Sequence, residues 1–274
     1  MDHIVYLDNA ATTPVDPQVV QAMLPVLTGP GGNPSSHYSI GYEAKEQIDT
    51  ARAQVAAALG CLPGEVYFTG GGSEADNWAI KGTARKLARQ GKKHLITSAF
   101  EHHAVVHAMQ ALEKDGFEVT WLPVTADGFV RPEDVAAAIR PDTALVSVML
   151  ANNEIGTIQP IQEIAAICRE KKVLCHTDAV QAVGAIPVNV KELGVDMLSL
   201  SGHKFNGPKG VGALYIRRGV LPDNLIDGGG QESRRRAGTE NVAGIVGLGA
   251  ANELGVGHLE GKQAHLVALQ DYVI

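Results

Sequence analysis

The sequence predicts an α/β protein built on a doubly wound, mainly parallel sheet. Three observations carry this expectation. Short β-rich runs alternate with helical patterns between residues 65 and 200. Two hydrophobic runs read as buried strands and lead directly into polar, chemically capable residues. Finally, 274 residues with 45% hydrophobic and 19% charged content are enough for one large α/β domain or two smaller ones.

Taken in chain order, residues 1 to about 20 are rich in Asp, Thr and Pro and precede the alternation. They are expected to belong to another layer. The first strand is read at Val66-Tyr67-Phe68, and a glycine-rich loop then opens a helix running through Trp78, Ile80 and Leu87. Further strands are expected at His94-Leu95-Ile96-Thr97 and Ala144-Leu145-Val146-Ser147-Val148-Met149. Ile161, Ile164, Ala165 and Cys168 share one helical face, so this helix should pack on the sheet. Val173-Leu174-Cys175 runs into His176-Thr177-Asp178, and Met197-Leu198-Ser199-Leu200 runs into Ser201-Gly202-His203-Lys204. Ligands of open α/β sheets sit at such carboxyl ends. Leu259, Leu266, Leu269, Tyr272 and Val273 approximate a last helical stripe that stops without a capping signal, so the final helix is expected to be cut short.

Composition excludes several classes. The net charge of −7 argues against nucleic-acid or anionic-membrane binding as the main role. No apolar run reaches the roughly 18 residues of a membrane span, and the start has no secretory or transit pattern. Cys61, Cys168 and Cys175 form no disulfide framework and no C-x-x-C pair, which fits a reducing cytoplasm.

Three elements carry chemistry. Thr69-Gly70-Gly71-Gly72-Ser73-Glu74-Ala75-Asp76-Asn77 joins a strand to a helix. Its glycines and a Ser73 cap at a helix N-terminus suit a phosphate, although an ordinary glycine-rich turn has the same composition. It is no nucleotide P-loop, because no lysine follows the glycines. Asp178 and Lys204 end neighbouring hydrophobic runs and should project into one crevice, as an ion pair or as a working pair. A desolvated lysine can form a Schiff base with an aldehyde, and an ionised carboxylate can keep a pyridine nitrogen protonated. With a phosphate cradle added, these are the requirements of pyridoxal 5'-phosphate.

Residues 4 to 270 resemble the cysteine desulfurases, pyridoxal phosphate enzymes of the class V aminotransferase type. The matching stretches include Tyr6-Leu7-Asp8-Asn9-Ala10-Ala11-Thr12-Thr13-Pro14, Gly32-Asn33-Pro34-Ser35-Ser36 and Gly71-Gly72-Ser73-Glu74-Ala75-Asp76-Asn77. They continue through Ala151-Asn152-Asn153-Glu154-Ile155-Gly156-Thr157, His176-Thr177-Asp178-Ala179-Val180-Gln181, Ser201-Gly202-His203-Lys204 and Arg236-Ala237-Gly238-Thr239-Glu240-Asn241. Their number and order make the resemblance specific.

The resemblance implies a fold-type-I pyridoxal-phosphate-dependent transferase with a seven-stranded sheet and helices on both faces. Residues 1–15 would be an N-terminal segment of the small domain, 16–258 the large cofactor domain, and 259–274 the start of a helix connecting to a C-terminal small domain that is largely absent. Lys204 would hold the cofactor covalently and remove the substrate α-proton. Asp178 would partner the pyridine nitrogen, and His102 would stack on the ring and assist proton transfer. Gly72, Ser73, Ser201, Gly202 and His203 would surround the phosphate, while Asn153 and Gln181 would face the ring oxygen and substrate. Thr239 would reach the phosphate of a neighbouring subunit, implying a homodimer. The implied reaction takes sulfur from L-cysteine, giving L-alanine and an enzyme persulfide that serves an iron–sulfur scaffold or another sulfur acceptor. Selenocysteine lyase, another class V aminotransferase and a non-catalytic pyridoxal phosphate-binding fragment are the alternatives.

The family's nucleophilic cysteine and its carboxylate-clamping arginine are expected beyond Ile274. Cys61, Cys168 and Cys175 are read as structural. His103 and His107 lack a third ligand, so no metal site is expected. Arg234-Arg235-Arg236 suggests a dimer or anionic-ligand surface, and Gly244, Gly247 and Gly249 do not form a dinucleotide motif.

Overall fold

The side chains of each central strand alternate between two apolar clusters, and this alternation creates a sheet covered on both faces. In the computed structural model, Leu95, Leu145, Met197 and Leu214 join one cluster, whereas Ile96, Val146, Leu198 and Ala213 join the other. The structure describes residues 5–273; Met1–Ile4 and Ile274 lie outside the described residues. The expected segment 1–15 is therefore seen from Val5, and the expected helix 259–274 through Val273.

The sheet comprises β1 (Val66–Thr69), β2 (His94–Ser98), β3 (Glu118–Leu122), β4 (Thr143–Ser147), β5 (Leu174–Asp178), β6 (Met197–Ser201) and β7 (Gly212–Ile216). Its order is β1-β7-β6-β5-β4-β2-β3. Neighbours from β3 to β6 are parallel, and β7 runs antiparallel to both β1 and β6. The doubly wound, mainly parallel sheet thus has seven strands. Strands β3 and β7 were not read in the sequence: β3 is only partly buried and lacks a hydrophobic run, while β7 opens on Gly212. β4 ends two residues before the expected Met149, because the Met149 N–H turns to the Glu101 carboxylate.

One face carries α1 (Pro17–Thr28), α2 (Ser39–Leu59), α6 (Pro132–Ala138), α7 (Ile161–Glu170) and α10 (Val242–Gly257). As expected, Ile161, Ile164, Ala165 and Cys168 form the buried stripe of α7. The opposite face carries α3 (Gly72–Asn77), a π-helical turn (Trp78–Gly82), α4 (Thr83–Ala88) and α5 (His103–Lys114). Two short turns are α8 (Val190–Leu193), whose Val190 joins the cluster of Ile96 and Val146, and α9 (Gln231–Arg234), and α11 (Leu259–Val273) follows α10 after a bend of 68°. No single helix among the described residues is long and apolar enough to cross a membrane.

The glycines excluded as a dinucleotide motif have a packing role. A Cβ on Gly249 would stand 2.8 Å from the Ala51 Cα, so its absence lets α10 lie directly against α2.

Candidate active site

Because β1 and β6 are each antiparallel to β7, every strand except β7 ends at the same edge of the sheet. A cavity of about 200 Å³ opens there, lined by Gly72, Ser73, His102, Asn153, Asp178, Gln181, Ser201, His203 and Lys204. Nine expected site residues therefore converge from loops far apart in sequence. Gly202 and Thr239 do not line this cavity. Gly202 is buried against Leu248, Pro208 and Val211, and Thr239 is exposed on the loop before α10. Sequence reasoning assigned no role to Asp76, Met149, Ala11 or Val180, which complete the lining.

Asp178 is the last residue of β5 and is only 4% exposed. Its Oδ1 accepts the Val180 N–H at 2.9 Å. Burial raises its carboxyl pKa, opposed by that hydrogen bond and by the charge of Lys204. Lys204 lies in the tight turn after β6, and its Nζ donates to the carbonyls of Ala10 and Ala11. Burial lowers its pKa against the opposing pull of Asp178 and Asp8, a shift that favours the nucleophilic free amine.

The remaining walls are fixed by short hydrogen bonds. His102 caps α5, its Nδ1 accepting the Ala104 N–H at 3.1 Å, so the ring proton resides on Nε2. His203 Nδ1 meets the Thr12 hydroxyl at 3.1 Å, and the Thr13 hydroxyl donates to the His203 carbonyl at 2.9 Å. Gln181 Nε2 donates to the Ala10 carbonyl at 2.8 Å. The segment read as another layer is thereby tied along the cavity rim.

At the other end, Gly71 has φ +149 and Gly72 begins α3. A Cβ on Gly72 would stand 2.6 Å from Val180 Cγ2, so only glycine allows the loop this close to the strand end. Glu74 accepts the Gly70 N–H at 2.9 Å and pairs bidentately with Arg236 at 2.7 and 2.9 Å. Arg236 thus braces the glycine loop, a role its basic cluster did not reveal.

The three cysteines lie elsewhere. Cys168 and Cys175 are buried in α7 and β5, and Cys61 follows α2 with its thiol pushed up to about 12, mainly by burial. His103 and His107 stack with ring centroids 5.2 Å apart outside the cavity. Among the described residues, no group of three or more His, Cys, Asp or Glu side chains could hold a metal.

This donor set fits pyridoxal phosphate. A glycine that cannot accept a Cβ leads the helix start into the cavity, a buried carboxylate faces it, and a lysine with a lowered pKa stands in its wall. The carbonyl, hydroxyl and imidazole groups around the rim can orient a small polar substrate.

Comparison with known proteins agrees with the geometry. The family model described as Aminotransferase class-V matches residues 5–274. "Cysteine desulfurase IscS" of Methanosarcina thermophila is 57% identical over 270 residues, covering 98% of this chain and 67% of that protein. Among solved structures, a "NIFS-LIKE PROTEIN" superposes with a TM-score of 0.96 at 43% identity, covering 98% of this chain and 74% of the other. A second, "SspA in complex with cysteine", gives a TM-score of 0.89 at 44% identity, with coverages of 91% and 72%. The chain belongs to the class-V aminotransferase family and, within it, to the pyridoxal-phosphate-dependent cysteine desulfurases.

Proposed function

We propose that this chain binds pyridoxal phosphate and L-cysteine and performs the α-proton chemistry of a cysteine desulfurase. The observation that carries the reading is the convergence of the Lys204 amine and the Asp178 carboxyl on one cavity, in a chain whose relatives are named cysteine desulfurases. Pyridoxal phosphate supplies an aldehyde for covalent attachment and a ring that absorbs the electrons released at the substrate α-carbon.

The protein's groups then divide the work. Lys204, partly desolvated, provides the amine for attachment and afterwards the base that takes the α-proton on Nζ. The buried Asp178 carboxylate would keep a proton on the ring nitrogen. His102 carries its ring proton on Nε2, at the cavity wall, and assists the transfer. Gly72, Ser73, Ser201 and His203, which line the cavity, would hold the phosphate, and Gly202 shapes the turn that presents His203 and Lys204. Asn153 and Gln181 orient the substrate side. None of Cys61, Cys168 and Cys175 lines the cavity, so attack on the substrate sulfur is not assigned to them.

Thr239 is exposed outside the cavity of its own chain. A homodimer in which it reaches the phosphate of the second protomer accounts for that position. Given a thiolate from outside Cys61, Cys168 and Cys175 that attacks the substrate sulfur as its bond to carbon breaks, the products would be L-alanine and the persulfide of that thiol, serving iron–sulfur assembly or another sulfur-transfer route in the cytoplasm. Residues 1–15 and 259–274 would belong with the small domain, a division supported at the second boundary by the break between α10 and α11.

The test is exchange of the cysteine α-proton with deuterated water by the cofactor-loaded protein. Exchange should exceed that of free pyridoxal phosphate and fall by about a hundredfold or more in Asp178→Asn, the usual scale for losing a proton-transfer partner. Wild-type exchange no faster than free cofactor would overturn the reading.

A further inference from the structure

The cavity contains a second buried carboxyl that the roles above do not use. Asp76 lies four residues after Gly72 in α3, on the same side of the helix, and lines the cavity together with Asp178. It is 1% exposed, and its Oδ1 has no hydrogen-bond partner. A buried polar atom left unpaired is costly, and a buried ionised one far more so.

The surroundings of Asp76 bring no compensating cation. Its nearest basic group is His176 of β5, with Nε2 at 3.7 Å from Oδ1. The two nitrogens of that imidazole are engaged by Ser147 Oγ at 2.8 Å and Ser199 Oγ at 2.9 Å, and burial depresses its pKa to about 3. His176 is therefore neutral. The other groups acting on Asp76 are the Ser199 hydroxyl of β6, Asp178 of β5 and Glu101 before α5. Two of those three are acids.

Asp178 stands in a different field. It accepts the Val180 N–H and feels the charge of Lys204. Two carboxyls sharing one desolvated cavity do not both ionise cheaply, and the charge settles where it is compensated. Burial and the Asp178 charge, in that order, push the Asp76 carboxyl well upward.

We propose that Asp76 is a positioning residue of the cofactor site, a neutral, proton-bearing carboxyl that confines the negative charge of the pair to Asp178. This deepens the reading of the cavity as a pyridoxal phosphate site. A charge confined to Asp178 would act on a bound ring nitrogen from one position, whereas a charge shared with Asp76 would be divided between two.

The direct test is infrared spectroscopy of the cofactor-free protein at neutral pH, with carbon-13 in the aspartate carboxyl groups to separate them from Glu101. We expect an isotope-sensitive carbonyl stretch of a protonated carboxylic acid that disappears in Asp76→Asn and persists in Asp178→Asn. Pyridoxal phosphate affinity supplies a second readout. Asn preserves the neutral state, so Asp76→Asn should bind within about twofold of wild type, while Asp178→Asn should lose about tenfold or more, the equivalent of one pK unit. The proposal is overturned if the band is absent from wild type, if it survives in Asp76→Asn, or if Asp76→Asn weakens cofactor binding as much as Asp178→Asn does. Neither measurement uses cysteine, so failure here is distinct from failure of the desulfurase reading.

Discussion

The amine of Lys204 donates to the carbonyl of Ala10, a residue 194 positions earlier in the chain. Gln181 donates to the same oxygen from the loop after β5. One backbone carbonyl therefore joins the N-terminal segment to both sides of the cavity. Its oxygen is a neutral acceptor, so it orients the lysine without adding a full negative charge that would favour the ammonium form. Reaction requires the amine to leave this acceptor.

The close contact between α10 and α2 makes a stability prediction in which two effects oppose each other. Alanine at position 249 would improve helix propensity by about 1 kcal/mol. Its Cβ would also stand 2.8 Å from the Ala51 Cα and 2.4 Å from Gln54 Oε1, and overpacking of this kind costs about 1–3 kcal/mol. Gln54 can move aside, but the α2 backbone cannot do so freely. Gly249→Ala should therefore destabilise the protein by about 1 kcal/mol in denaturant titration, whereas Gly257→Ala, with nothing within 4 Å, should not destabilise it. Equal or greater stability of Gly249→Ala would show that α10 and α2 do not rely on glycine for their contact.

Glu101 predicts a pH dependence. Its carboxylate accepts the Ser98 hydroxyl at 2.5 Å and the Met149 N–H, yet burial dominates and moves its pKa from the usual 4.5 to about 8. The folded state then binds more protons than the unfolded state between those values, so this contribution is intact below pH 4.5 and is lost as pH rises through about 8. His176, depressed from 6.5 to about 3, acts in the opposite sense at lower pH, with stability lost as pH falls from 6.5 toward about 3. The window between 6.5 and 8 is therefore where Glu101 is most visible. In the cofactor-free protein, Glu101→Gln should flatten the decline in stability across that window. An identical slope in wild type and variant would remove Glu101 as its source.

Much of this site was legible because the relevant strands carry simple signals. Leu198 and Leu200 face one cluster and Met197 the other, so the run reads as a buried strand and places Lys204 just past its end. Asp178 follows the same logic after Cys175. Strand β7 was missed because Gly212 opens it and its burial comes from neighbours on both sides, which a single sequence does not reveal. The bracing role of Arg236 was not legible, since its partner Glu74 lies 162 residues away. Asp76 had a local signal that went unused: its spacing from Gly72 is one helical turn, which puts it on the same side of the helix as that glycine, toward the cavity.

The central claim is that Lys204 carries the cofactor. Purified protein incubated with pyridoxal phosphate should develop visible absorbance, and borohydride reduction should fix the cofactor covalently. Peptide mapping should place the reduced adduct on Lys204, with no stable adduct in Lys204→Ala. An adduct mapped to Lys81, Lys209 or any other lysine in the wild-type protein would contradict the account.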